Sequence, residues 1–132
     1  MLGTFQQSEL RIEVEASETV IQNSLLRPSQ MQQWCLQRFA AGMPEQLYQG
    51  LTFTTWAGPI AIHHQVEVVK PNCLRFLLSQ GIDGFHEWYW GEGWLQSRLE
   101  GVSMLPLNLG QTFSLLSLRQ FLKTSGTATS PL

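Results

Sequence analysis

The chain has 132 residues, a formal net charge of −2 and only 14% charged residues against 43% hydrophobic ones. That length fits one domain around one core, and five Trp among many Leu, Val and Ile exclude long disorder. The acidic balance, with eight scattered Lys and Arg, excludes the basic footprint of a nucleic-acid protein.

No stretch approaches the roughly 18 apolar residues of a membrane helix, so no integral membrane association is expected. Met1 to Gln7 lacks the basic and apolar regions of a secretory leader, which makes the cytosol the expected address. Cys35 and Cys73 are too few for a disulfide scaffold and too far apart for a CxxC pair. In a reducing compartment they read as small buried hydrophobes.

From Glu9 to Ser17 the chain alternates, with Leu10, Ile12, Val14 and Ala16 on one side and charged or polar residues on the other. Period two with one wet face is an amphipathic strand. Ser17 has the chemistry of a helix N-cap, with Glu18 in the first turn. Val20, Ile21 and Leu25 carry that first helix to Leu26, where Pro28 interrupts it and opens a second helix over about Ser29 to Leu36. Residues from Gln37 to Gly50 read as a loop. Five runs of strand type follow, bounded by Gly, Pro and Asn: Leu51 to Trp56, Ile60 to Val69, Cys73 to Ser79, Phe85 to Trp90 and Trp94 to Ser103. Such a series joined by short turns is an antiparallel meander. Asn108 and Gln111 have capping-box spacing, and Phe113, Leu115, Leu116, Leu118, Phe121 and Leu122 give the last helix a wide apolar face. That helix is the element long enough to cover the meander, which predicts an α+β fold with about six strands.

In this order the elements resemble the START-like, or helix-grip, superfamily (SRPBCC), which includes polyketide-cyclase-like and coenzyme-Q-binding-like proteins. The resemblance runs from about Glu9 to Lys123. It is carried by the opening strand into Ala16-Ser17-Glu18, by Leu26-Arg27-Pro28 with Trp34 six residues on, by Gly50 before a strand, by the Trp88/Trp90 strand, and by Leu105-Pro106 leading through Gly110 into the last helix. The chain departs from it at Arg27, where such proteins often have Asp, and in lacking a Pro after Trp34. The resemblance implies a cavity between a curved sheet and the C-terminal helix that holds an apolar or aromatic molecule. It selects no reaction, because members include carriers, cyclases, hydrolases and chaperone-activating domains. One helix-grip domain over 1–124 is expected, with 125–132 a flexible tail.

Within the strands, His63 and His64 point to opposite faces and so cannot share one metal. His64 has the inward parity of Ile60, Ile62, Val66 and Val68. In Phe85-His86-Glu87-Trp88-Tyr89-Trp90, His86 shares a face with the two Trp. If that face is inward, two imidazoles meet in the cavity, able to orient a polar ligand end or to act as acid/base. The alternatives are plain packing in both places, a hydrogen-bonded core histidine at His64 and an aromatic-packed strand from Phe85 to Trp90. Arg75, Arg98 and Glu100 read as cross-strand pairs on the solvent face; Arg98 inside would instead be an anion anchor. Gly91-Glu92-Gly93 is a turn without the helix a phosphate cradle needs. Neither Ser nor Cys residues sit in nucleophile surroundings.

The leading expectation is a small, non-catalytic binding protein for an apolar or aromatic small molecule or lipid. Its cavity lining is expected from Phe53, His64, Phe76, Leu78, His86, Trp88, Trp90, Phe113 and Leu116, with no metal and no cofactor. A second reading is a polyketide-cyclase-like enzyme with His64 or His86 as acid/base. A third is a protein-interaction module whose interior is filled by its own side chains. A pocket above about 300 Å³ discriminates the first from the third. The solvent faces of the Trp-rich strands are compatible with a homodimer.

Overall fold

Seven strands form one antiparallel sheet in the computed structural model, which describes residues 3–129 and the side chains of 3–124. The chain order is β1 (Thr4–Glu13), α1 (Glu18–Leu26), α2 (Pro28–Trp34), β2 (Arg38–Phe39), β3 (Thr52–Ala57), β4 (Ile60–Lys70), β5 (Cys73–Gln80), β6 (Ile82–Gly91), β7 (Trp94–Ser103) and α3 (Leu107–Thr129). Across the sheet the order is β1-β7-β6-β5-β4-β3-β2, a meander from β2 to β7 closed by the return of β1. It is an α+β fold that matches the helix-grip description.

Local signals place most of these elements. The Ser17 side chain caps α1 by accepting from Val20 N–H, and α2 begins at Pro28, whose missing N–H costs nothing at a first helical position. Asn72 and Gln80 take left-handed φ values of 64° and 70° in the β4–β5 and β5–β6 turns. Gly84 and Gly101 face one another across β6 and β7. A Cβ on Gly84 would lie 1.9 Å from the Glu100 carbonyl oxygen, so the strands cross there closer than any side chain permits.

Four expectations are corrected. A seventh strand exists because Arg38 and Phe39, inside the expected loop, pair with Trp56 and Thr55. Inward parity in β4 is interrupted by a bulge between Val66 and Val68, so Val69 rather than Val68 packs on the core. The helix α3 continues to Thr129, past the expected start of the tail at Ser125; residues 130–132 of that tail lie outside the described residues. Asn108 and Gln111 do not form a capping box. Instead Gln6 of β1 accepts from Leu107 N–H at 3.0 Å and donates to the Leu105 carbonyl at 2.8 Å, so β1 supplies the cap from across the fold.

The helices cover one face of the sheet: α3 packs on β1 and β7, α1 on β6, and α1, α2 and α3 on one another. Ile21, Leu25, Ile62, Val66, Leu74, Leu95, Leu118 and Leu122 are buried in this core. The opposite face carries the ion pairs. Arg75 bonds Glu87 at 2.7 Å and Glu67 at 3.0 Å, and Arg98 bonds Glu100 at 2.8 Å. Both guanidiniums lie over the Phe85 ring, 4.1 and 5.5 Å from its centroid. Arg98 is thus on the outer face, and Glu87, although on that face, is covered by the two arginines. Beside it, burial and the Glu87 carboxylate raise the Tyr89 phenol above its ordinary pKa.

Candidate binding cavity

Between the sheet and the first turns of α3 the layers separate around a cavity of about 300 Å³. Inward alternation along β3 to β7 builds its walls: Phe53 and Thr55 from β3, Ile62 and His64 from β4, Phe76 and Leu78 from β5, Ile82, His86 and Trp88 from β6, and Ser97 and Leu99 from β7. Helix α2 and the chain after it add Met31, Trp34, Cys35 and Phe39, while Leu107, Gln111 and Phe113 of α3 close the far side.

Of the expected lining, Phe53, His64, Phe76, Leu78, His86, Trp88 and Phe113 are brought together on this wall, and Trp90 and Leu116 are not. Trp90 has the inward parity expected of it but lies beside the β6–β7 turn. That turn is tied by Gly93 to Val14 and Ala16, and α1 closes this end of β6, so Trp90 is fully buried in the core. Leu116 turns outward and is 42% exposed, because Leu115 and Leu118 take the sheet-facing positions of α3. Phe113 lines the mouth while remaining 54% exposed. With Leu36 and Leu109, also exposed, it makes an apolar rim.

Aromatic rings organise one wall. Phe53 and His64 stack at 4.7 Å with 3° between their planes, Phe39 continues the stack on Phe53, and Phe76 meets both Phe53 and His64 edge-on. Trp88 contacts His86 at 4.6 Å and Trp34 edge-to-face at 5.9 Å. These contacts are worth about 0.5–1.5 kcal/mol each beyond burial and fix the rings of the wall against one another.

Thr55, Ser97 and Gln111 are polar wall residues that the sequence does not mark as lining. The Thr55 hydroxyl lies 2.9 Å from His64 Nε2, and the Ser97 hydroxyl 2.7 Å from His86 Nε2. Gln111 Nε2 donates to Ser97 Oγ at 2.9 Å and to the Ser97 carbonyl at 3.0 Å, and its Oε1 accepts from the Ser8 hydroxyl. Ser8 in turn accepts from Asn108 Nδ2 at 2.7 Å. A chain of hydrogen bonds therefore runs from exposed Asn108 through Ser8, Gln111 and Ser97 to His86 in the cavity. Its signal in the sequence is parity: Thr55 shares a strand face with Phe53, and Ser97 with Leu95 and Leu99. A polar residue on an inward face needs a buried partner.

Both imidazoles are held neutral. Burial, reinforced by His86 and His63, pushes the His64 pKa down to about 3, and burial alone pushes that of His86 down to about 4. His64 Nδ1 is buried without a hydrogen-bond partner. Burial raises the Cys35 thiol to about 11, so it is no thiolate nucleophile. No Lys or Arg lines the cavity. Among the described residues, no cluster of His, Cys, Asp and Glu is arranged to hold a metal ion, and no helix is long and apolar enough to cross a membrane.

No protein-family model matches the chain, and no curated protein sequence matches it significantly. Solved structures do share its fold. The AHSA1-like protein of Aeromonas hydrophila superposes with a TM-score of 0.71 at 12% identity, over 96% of this chain and 99% of that one. CalU16 of Micromonospora echinospora gives 0.67 at 14% identity, over 90% and 75%. DynU16, from the dynemicin biosynthetic locus, gives 0.70 at 18% identity over 90% of this chain, which spans about half of DynU16 (48%). At these identities the likeness is one of fold alone.

Proposed function

We propose that this protein binds a small apolar or aromatic molecule in the cavity between the sheet and α3, and does so without catalysing a reaction on it. The observation that carries this reading is the cavity itself, about 300 Å³ beside an aromatic wall, with an apolar rim at Phe113 and Leu109. That volume lies at the lower end of the range for small-molecule sites, and its mainly apolar walls with a few convergent polar groups have the composition of such sites. A filled interaction module would need those rings to close on one another.

A fold neighbour from a biosynthetic locus makes a cyclase-like enzyme the second reading, with His64 or His86 as acid/base. An imidazole whose pKa lies near 3 or 4 is a weak base at neutral pH, which favours binding over proton transfer. Native mass spectrometry of the undenatured protein tests the proposal. A co-purifying organic mass, or a thermal shift with small aromatics, that disappears in Ala57→Phe supports it, because Ala57 at the end of β3 also lines the cavity and a Phe there would take up its space. An apo mass together with no shift across neutral aromatics and lipids overturns it.

A further inference from the structure

The sheet ends differently on its two sides. On one side the last strand, β2, has two residues and offers little to a further strand. On the other, β1 runs for ten residues with no Pro, no Lys and no bulge, in unbroken register with β7. Val14 N–H donates to Gly93 O at 2.9 Å in continuation of that register, so the even-numbered residues of β1 turn their main-chain groups to β7. The N–H and C=O groups of Phe5, Gln7, Glu9, Arg11 and Glu13 therefore point away from the sheet, and nothing among the described residues pairs with them. All five residues are exposed. Leu10 and Ile12, although on the inner face, are only half-buried at this edge.

We propose that this edge pairs antiparallel with β1 of a second copy of the chain, joining two sheets into one across a twofold axis at Leu10. Outward groups meet only when odd residues face odd residues, and charge then selects the register. With the axis at Leu10, Glu9 faces Arg11 of the second copy and Arg11 faces its Glu9. Gln7 faces Glu13, and the two Leu10 side chains meet on the inner face. An axis at Glu9 or Arg11 sets that charge against itself, and one at Ser8 gives neither charge an opposite partner. An axis at Ile12 sets Glu9 against Glu15, beyond the end of β1. Both charges already lie on the outer face of the edge, where Glu9 accepts from Gln96 and Arg11 stands 4.3 Å from the centre of the Trp94 ring. Any extended peptide could use the main-chain groups, but this charge order is complementary to itself, as an isologous dimer requires.

Sedimentation equilibrium of the full chain at neutral pH and low salt tests this. The mass should rise with concentration toward twice that of the chain. Glu9→Arg and Arg11→Glu each bring like charges together twice per dimer and should each weaken association about tenfold or more. An equimolar mixture of the two variants should restore association, because every facing pair is again of opposite sign. Both residues are exposed, so circular dichroism should show each variant folded. Amide exchange in the unaltered protein gives a second readout. Exchange at Gln7, Glu9, Arg11 and Glu13 should slow as the concentration rises, while Ser8, Leu10 and Ile12 stay protected throughout. A chain that remains monomeric at near-millimolar concentration overturns the inference. So does a dimer insensitive to both substitutions, a mixture that fails to associate, or concentration-dependent protection confined to other elements.

Discussion

At the scale of single residues, the two buried imidazoles set how stability depends on pH. Each has a folded-state pKa well below the ordinary 6.5, at about 3 for His64 and about 4 for His86. The unfolded chain therefore takes up protons as the pH falls through 6.5 while the folded chain does not. The stability contributed by the neutral rings is complete above about pH 6.5 and is lost as the pH drops toward 4. Linkage gives a loss of about 1.4 kcal/mol per pH unit for each such group once the unfolded form is protonated. Urea unfolding at pH 7, 6, 5 and 4.5 should show this decline, with a shallower one in His86→Phe. Parallel profiles for the two proteins would contradict the burial of His86 as a neutral ring. Gln111 is the other residue with a large expected effect. Gln111→Ala strands Ser97 and Ser8 beneath α3 and should cost roughly 1–3 kcal/mol in the same measurement.

These residues were unequally legible in the sequence. Alternation alone puts His64 on the inner face and His86 on one face with Trp88, because period two needs no tertiary information; which face of that aromatic strand points inward it leaves open. Gln111 reads as a helix cap in the sequence, and only the return of β1, with Gln6 reaching Leu107 N–H, makes that cap unnecessary and frees Gln111 for the cavity. A partner some hundred residues away leaves no local trace. Trp90 and Leu116 fail as lining residues for a related reason: parity and helical spacing give a face, not a position along it.

At the scale of elements, β6 and β7 approach closely at Gly84 and Gly101, and the two kinds of glycine in this chain separate cleanly. A Cβ at Gly84 would meet Glu100 O at 1.9 Å, whereas one at Gly110, inside α3, meets nothing within 4 Å. Gly84→Ala should destabilise by about 1–3 kcal/mol through overpacking of backbone against backbone. Gly110→Ala should stabilise by roughly 0.5–1 kcal/mol through helix propensity and a less flexible unfolded chain. Midpoints of chemical unfolding check both, and a neutral Gly84→Ala would mean that β6 and β7 separate without cost. The bulge at Glu67 and the two-residue β2 show what patterns miss at this scale. A bulge shifts parity by one with no composition signal, and Arg38–Phe39 is too short to alternate.

At the scale of the whole molecule, the order of elements led from sequence to fold, since a meander with one apolar face requires a cover and α3 is the long helix available. Whether the layers meet or leave a gap was not legible, because it depends on how far α1 and α2 hold α3 from β3 to β6. The gap is the basis of the account. If a small aromatic occupies it, Ala57→Phe should remove binding while raising, or leaving within about 1 kcal/mol, the stability of the protein, since it fills space rather than displacing core. Loss of stability by several kcal/mol would indicate a wall with no room behind it.

The most direct test is an isotope-filtered NOE experiment on the labelled protein with an unlabelled small aromatic, 2-acetonaphthone. The account predicts contacts from the naphthyl protons to the rings of Phe53, Phe76 and Trp88, under α3. Contacts at Phe85 and Tyr89 on the outer face, or none to the inner rings, would contradict it.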